Sequence, residues 1–209
     1  MVREDSRNKK KSDICGFFFS QILLNSSMSE PYPEEEQSKF YFITLSTTDT
    51  LDLLHSVEFK HMIIDSLKFC IDYSKVIIHA WCLIPSHLHM IVYTRQKDDL
   101  HDMVIHFKSV SSKKIVESIL SIPEHNRKIL LDDLKSNKEE LIEMSNYKVW
   151  EEKFYFVELK KHAEIKKKLI QIHSAPVTAG IADEPEDYWY SSARNYVEMN
   201  SLLDVTLFS

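Results

Sequence analysis

The stretch VIIHAWCLIPSHLHMIVY, residues 76–93, decides the fold. Its first eight residues form an apolar run that only His79 interrupts, which is typical of a central strand. Pro85 and Ser86 then favour a turn, and residues 87–93 return to the composition of a strand. The stretch therefore predicts an antiparallel hairpin inside a sheet.

The segments around this hairpin predict how the sheet is completed. Residues 40–45 are aromatic and β-branched, which indicates a buried strand. Ser56 is a candidate N-cap, and apolar residues at helical spacing follow as far as Tyr73. Helical spacing returns between Leu100 and Leu120. This order predicts an α+β fold, a ferredoxin-like (RRM-like) antiparallel sheet with helices packed on one face.

The rest of the chain adds three segments to the same domain. Residues 123–146 are charged and mostly of helical composition, which indicates an insertion. Residues 149–159 predict a further strand, and residues 163–175 predict a helix that Pro176 and Gly180 end.

The first 39 residues are predicted to lie outside this domain. The apolar stretch at 14–24 is short and contains polar residues, so it does not predict a membrane span. Residues 29–37 hold two prolines and four glutamates, which is typical of unstructured chain. We therefore expect residues 1–39 to be a disordered or non-native extension, with Met28 as the natural start, and residues 40–209 to form one domain.

Composition excludes several classes of function. A formal net charge of −6 argues against a protein that coats nucleic acid indiscriminately. The chain has only two glycines, Gly16 and Gly180, so it contains neither a P-loop nor a dinucleotide-binding fingerprint. Its three scattered cysteines indicate neither a disulfide framework nor a zinc knuckle, and they favour a reducing, cytoplasmic location away from membranes.

His87 and His89 form the candidate metal-binding pair. The two-residue period of a strand sends both imidazoles to one face of the sheet and Leu88 to the other. Two adjacent imidazoles can hold a divalent ion when further ligands arrive from elsewhere, and such an ion can polarise a phosphoryl oxygen. The alternative is a pair of partly buried histidines that are satisfied by backbone carbonyls.

Several spaced segments carry a resemblance to a known family. They are AWCLIPSHLHMIV at 80–92, FKSVSSKKI at 107–115, Trp150, IHSAPVTAG at 172–180 and PEDYWYSSARNY at 185–196. In this order they resemble the single-tyrosine HUH transposases, in particular the REP-associated tyrosine transposases and their insertion-sequence relatives. The resemblance covers roughly residues 40–207.

The resemblance implies a DNA-cleaving transposase with a single-domain ferredoxin-like fold. His87 and His89 would hold a divalent metal, Mg²⁺ or Mn²⁺, and the partner would be single-stranded or hairpin DNA. A tyrosine on a later helix would attack the scissile phosphate and leave a 5′-phosphotyrosine link and a free 3′-hydroxyl. A polar residue one helical turn beyond that tyrosine would complete the metal site. The protein would act as a monomer or a homodimer.

The segment that should carry the nucleophile departs from the family pattern. The family sequence is tyrosine, Ile, His, Asn, Asn, Pro and Val, whereas residues 171–177 are QIHSAPV. Gln171 stands at the tyrosine position and Ala175 at the position of the third metal ligand, four residues apart and so on one helix face. A glutamine amide cannot form the phosphoester link, and alanine offers no ligand atom. We therefore expect impaired cleavage and a weakened metal site.

Three functions remain open from the sequence. The first is a transposase-family protein that binds single-stranded or hairpin DNA with its strand-cleaving activity lost or badly impaired. The second is a domesticated DNA-binding regulator that needs no metal. The third is an active nuclease that uses another tyrosine such as Tyr155, for which packing inside its aromatic run is the alternative. Gln171 could also ligate a metal through its carbonyl oxygen, although an amide is a poor ligand. His173 is predicted to point away from the Gln171 face and to be structural.

Lysine clusters predict the path of the DNA. Residues 160–168 hold five lysines against one glutamate, next to the helix that carries Gln171. Such clusters neutralise phosphates and give salt-dependent binding even in an acidic protein. The predicted DNA contacts are Lys108, Lys113 and Lys114 in one cluster, and Lys166, Lys167 and Lys168 in the other.

The predicted extension can be tested by truncation. Deleting residues 1–27 should change the free energy of unfolding by less than about 0.5 kcal/mol, the usual scale for changes away from packed features. The measurement is urea unfolding of the full and shortened chains. A much larger loss would mean that residues 14–24 pack on the domain.

Overall fold

The computed structural model describes residues 39–48, 52–123 and 149–208. The predicted extension at 1–39, except Lys39, and the predicted insertion at 123–146, except Pro123, lie outside these ranges. The described strands are β1 Lys39–Ser46, β2 Ile77–Ile84, β3 His87–Thr94 and β4 Tyr155–Leu159. The described helices are α1 Val57–Tyr73, α2 Lys97–Ser121, α3 His162–Thr178 and α4 Ala193–Tyr196, with 3-10 turns at Asp52–His55 and Pro185–Asp187.

The four strands form one sheet in the order β2-β3-β1-β4. Every pair of neighbours is antiparallel, and β2 and β3 form the predicted hairpin. The succession of strand, helix, hairpin, helix and strand is the ferredoxin-like arrangement. The α+β ferredoxin-like prediction is therefore confirmed.

One face of the sheet is covered by α1 and α2. The β1 residues Ile43 and Leu45 lie opposite Met90 and Leu88 of β3, and all four side chains are fully buried. At the β4 edge of this face, the ammonium of Lys97 in α2 lies 4.9 Å from the Phe156 ring centroid. We call this the two-helix face.

The opposite face, which we call the histidine face, carries His87 and His89 and is covered by α3. In β1, Thr44 lies opposite His89, so Phe42 shares this face. The Lys168 ammonium in α3 lies 4.2 Å from the centroid of the Phe42 ring. Helices thus cover both faces and not one, because the side chains of this face are also largely apolar and need cover from water.

The C-terminal segment protects the outer edge of β2. The amide of Leu83 donates to the Tyr190 carbonyl at 2.9 Å, and the amide of Thr206 donates to the Ile78 carbonyl at 3.0 Å. The Tyr188 hydroxyl adds a hydrogen bond to the Leu83 carbonyl at 2.8 Å. Unpaired strand edges promote aggregation, so this cover stabilises the isolated sheet.

Ser192 joins the C-terminal segment to β2 and α3. Its hydroxyl accepts from the Trp81 amide at 2.9 Å and donates to the Trp81 carbonyl at 3.2 Å. A third contact joins this hydroxyl to Nε2 of His173 at 2.9 Å. Burial lowers the pKa of His173 to about 3, which agrees with a neutral ring. His173 is a structural residue, as predicted.

The last strand is shorter than the predicted 149–159. Only residues 155–159 pair as a strand, and Trp150 makes an isolated bridge with Thr47. Between them, the Lys108 ammonium donates to the carbonyls of Glu151 and Glu152, at 2.7 and 3.2 Å. These carbonyls therefore bond to a lysine and not to a neighbouring strand.

The helix α3 ends later than predicted. Pro176 lies inside its last turn, and the helix continues to Thr178. Gly180 has a φ of +71°, and the amide of Ile181 donates to the Pro176 carbonyl at 2.8 Å. Glycine adopts this left-handed conformation without steric cost, so Gly180 and not Pro176 ends the helix. Among the described helices, none is both long and apolar enough to cross a membrane.

Buried neutral histidines predict acid sensitivity. Burial lowers the pKa of His173 to about 3 and that of His79 to about 4, so the unfolded chain, with histidine pKa values near 6.5, binds more protons. The free energy of unfolding should therefore fall as the pH drops below 6.5, by about 1.4 kcal/mol per pH unit for each histidine. Replacing His173 by Gln should flatten this slope in urea unfolding between pH 7 and 4.5. Parallel curves for the two proteins would contradict the prediction.

Candidate functional site

The His87 and His89 rings lie together on the histidine face. Their planes are inclined by only 6° and their centroids are 5.5 Å apart. This is the arrangement that the two-residue period predicts, with Leu88 buried on the other side of the sheet. Both histidines are half-buried, so solvent still reaches the pair.

Hydroxyl groups hold the inner nitrogen of each ring. The Thr44 hydroxyl lies 3.0 Å from Nδ1 of His89, and the Ser86 hydroxyl lies 2.7 Å from Nδ1 of His87. Neither Nε2 atom hydrogen-bonds to any residue that the structure describes. The Nε2 atoms are thus oriented and available to a ligand.

The environment keeps His89 uncharged. Burial, followed by the charges of His87 and Lys168, lowers the pKa of His89 to about 4. The Phe42 ring stacks on the His89 ring at 5.7 Å with a 19° inclination. At neutral pH the imidazole is therefore neutral and flanked by an aromatic ring.

Lys168 is the cation of this site. Its ammonium lies over the Phe42 ring, which in turn stacks on His89. The same ammonium donates to Oε1 of Gln171 at 2.9 Å. Gln171 is exposed, and Ala175, one turn further on, lies half-buried against the core. A chain of contacts thus runs from Gln171 through Lys168 and the Phe42 ring to His89.

Tyr155 lies on the same face of the sheet. It pairs with Thr44 across β4 and β1, and Thr44 pairs with His89 across β1 and β3. Two strand spacings thus separate Tyr155 from His89, about 10 Å. Its side chain is 70% exposed, so it does not pack inside the aromatic run.

The donor set falls short of a divalent-metal site. Within residues 39–48, 52–123 and 149–208, no group of three or more His, Cys, Asp or Glu side chains could hold a metal ion. Mg²⁺ and Mn²⁺ prefer oxygen ligands, and Ala175 has none while Oε1 of Gln171 already accepts from Lys168. This pair of imidazoles does not supply the oxygen-rich donor set that either ion prefers.

The structure separates the two predicted lysine clusters. Lys166 and Lys167 are exposed on α3, the helix that covers the histidine face. The other cluster belongs to α2, on the two-helix face, where Lys108 bonds to backbone carbonyls and Lys113 lies 3.9 Å from Glu117. Of the two clusters, only the first belongs to the helix that covers the histidine face.

Sequence reasoning grouped Lys168 with its neighbours and did not single out Thr44. Both omissions have a structural cause. The contact between Lys168 and Phe42 depends on how α3 is rotated about its axis, which no spacing along the helix reveals. The role of Thr44 depends on the register of β1 against β3. Its position on a predicted strand of the same sheet could have suggested that it lies beside a histidine.

Comparison with known proteins identifies the fold. No protein-family model and no curated protein matches the chain. A solved structure of a REP-associated tyrosine transposase, bound to a REP hairpin, is similar with a TM-score of 0.57 and 16% sequence identity. The match covers 87% of this chain and 95% of that one. The chain therefore has a fold like that of this transposase.

Proposed function

We propose that this protein is a transposase-family protein that binds single-stranded or hairpin DNA on its histidine face and has lost strand cleavage. The observation that carries the proposal is the position of Gln171. It lies on the helix over the histidine pair, at the place where the resembling family has its tyrosine, and its amide oxygen accepts a hydrogen bond from Lys168. At the position where α3 would carry the nucleophile of the resembling family, it carries the neutral amide of Gln171.

The chemistry of Gln171 supports the loss of cleavage. A tyrosine phenolate can displace an oxygen at phosphorus and retain the phosphate, whereas an amide has no acidic proton to release. Ser174, the nearest hydroxyl of this helix, donates to the Gln171 carbonyl at 3.3 Å. No group on this helix face is therefore arranged as a nucleophile within the described chain.

Charge supports DNA as the partner. The protein carries a net charge of −6, yet lysines outnumber acids five to one between residues 160 and 168. Lys166 and Lys167 project into solvent from the helix that covers the histidine face. Such a local reversal of charge attracts phosphates despite the overall repulsion. The solved structure of similar fold is that of a transposase bound to a REP hairpin, which agrees with a hairpin as the partner.

Removing two positive charges from one lysine cluster should affect DNA binding differently from removing two from the other. Replacing Lys166 and Lys167 by alanine should weaken binding of a single-stranded oligonucleotide and reduce the slope of log K against log salt by up to about 0.7 per lost contact. Replacing Lys113 and Lys114 removes the same charge from the two-helix face and should leave the slope nearly unchanged. Fluorescence anisotropy at several salt concentrations measures both. Equal effects of the two pairs would place the DNA elsewhere.

Cleavage by Tyr155 is the second candidate function. The observation that favours it is the exposure of Tyr155 on the face of His89, with only Thr44 of β1 between them. Tyr155 lies on β4 and not on α3, so the phosphate would have to lie against the sheet near β4.

A covalent-adduct assay separates the two functions. Incubated with labelled hairpin DNA and Mn²⁺, the unmodified protein should form no adduct that survives denaturation, because Gln171 cannot attack phosphorus. Tyr155→Phe serves as the matched variant. An adduct that disappears in Tyr155→Phe would establish the second function, and one that persists in it would point to a different nucleophile; either result contradicts our proposal.

A further inference from the structure

We propose that Lys168 is a built-in cation that replaces a divalent metal at the histidine pair, and that Lys168, His87 and His89 together bind a phosphate group of DNA. This phosphate site rests on the proposed function, because it assigns the ligand of the same face. It requires no metal ion. The proposal is argued from the placement of the ammonium, from the imidazole nitrogen atoms on the same face of the sheet and from the identity of residue 171.

The ammonium of Lys168 is held in position. Gln171 accepts its hydrogen bond at 2.9 Å, and the Phe42 ring supports it at 4.2 Å. Its side chain is half-buried, unlike the exposed side chains of Lys166 and Lys167. An ordered cation loses less conformational freedom on binding an anion than a mobile surface lysine does.

The position of this charge opposes a metal and favours an anion. The ammonium lies over the Phe42 ring, and that ring stacks on the His89 ring at 5.7 Å on the same face of the sheet. A divalent cation bound to the Nε2 atoms would be repelled by the neighbouring ammonium, whereas a phosphate would be attracted.

The imidazoles can supply the remaining hydrogen bonds. In the tautomer in which the Thr44 and Ser86 hydroxyls donate to Nδ1, each Nε2 atom carries a proton. Two Nε2–H groups and one ammonium are then three donors for the acceptor oxygens of a phosphate. Metal binding would need the opposite tautomer, with bare Nε2 atoms.

The neutral amide of Gln171 preserves the charge of the site. A carboxylate at residue 171 would hold the ammonium equally well but would cancel its charge. An amide oxygen orients the ammonium and leaves the whole positive charge to an incoming anion. We therefore assign Gln171 as a positioning residue for Lys168.

The first experiment compares DNA binding with and without metal. Anisotropy of a labelled hairpin with a single-stranded tail should give the same affinity in EDTA and in Mn²⁺. Lys168→Met keeps the stem over Phe42 but removes the charge, and should weaken binding by about tenfold or more. The control is Lys68→Met on α1, which removes an exposed lysine that lies 3.9 Å from Asp65 and should change affinity by less than about twofold. Binding that is lost in EDTA, or an equal loss in both variants, would overturn the inference.

The second experiment needs no DNA. Inorganic phosphate should shift the ring signals of His87 and His89 in NMR spectra of the unmodified protein but not of Lys168→Met. Electron paramagnetic resonance should detect no Mn²⁺ on the unmodified protein, whereas the double variant Lys168→Met with Gln171→Glu should bind it. Mn²⁺ bound to the unmodified protein, or an absent phosphate response, would refute the built-in cation. Phosphate binding without DNA binding would instead refute the proposed function and leave this site standing.

Discussion

Alternation of side chains along β3 constrains the rest of the molecule. Leu88 and Met90 are fully buried on the two-helix face, while His87 and His89 point to the opposite side. Because the second side also carries buried side chains such as Ile91, it needs its own cover, and α3 supplies it. A one-residue slip of this strand would exchange the two faces, burying the histidines under α1 and α2. Register is therefore a condition for both the core and the site.

The sequence predicted the elements of the sheet better than the relations between them. The apolar run and turn of residues 76–93 were sufficient for the hairpin, since period and turn chemistry are local properties. The cover of the histidine face by α3 and the contact between Lys168 and Phe42 are not local, because they depend on how a helix docks. The end of α3 was predicted too early, at Pro176, because the left-handed conformation that ends the helix is that of Gly180.

Among the segments that carry the family resemblance, the one near the C-terminus is structural. Ser192 makes three hydrogen bonds that join β2, α3 and its own segment, and the Tyr188 hydroxyl closes the β2 edge. Losing such buried partners costs about 1–3 kcal/mol each, whereas exchanging an exposed side chain such as Gln171 costs little. A chain can therefore depart from the family pattern at the reactive position and keep the fold that the pattern describes.

The local distribution of charge explains how an acidic protein can present a phosphate site. The net charge of −6 repels DNA at long range. Because salt screens distant charges, a local cluster of lysines can still attract a phosphate at short range. Lys166 and Lys167 provide that attraction at the surface of α3, while Lys168 is ordered against the sheet by Phe42 and Gln171. Exposed lysines can follow a mobile backbone, but only a fixed ammonium can define where one phosphate rests. The histidine pair, held by Thr44 and Ser86, lies where that phosphate would be oriented.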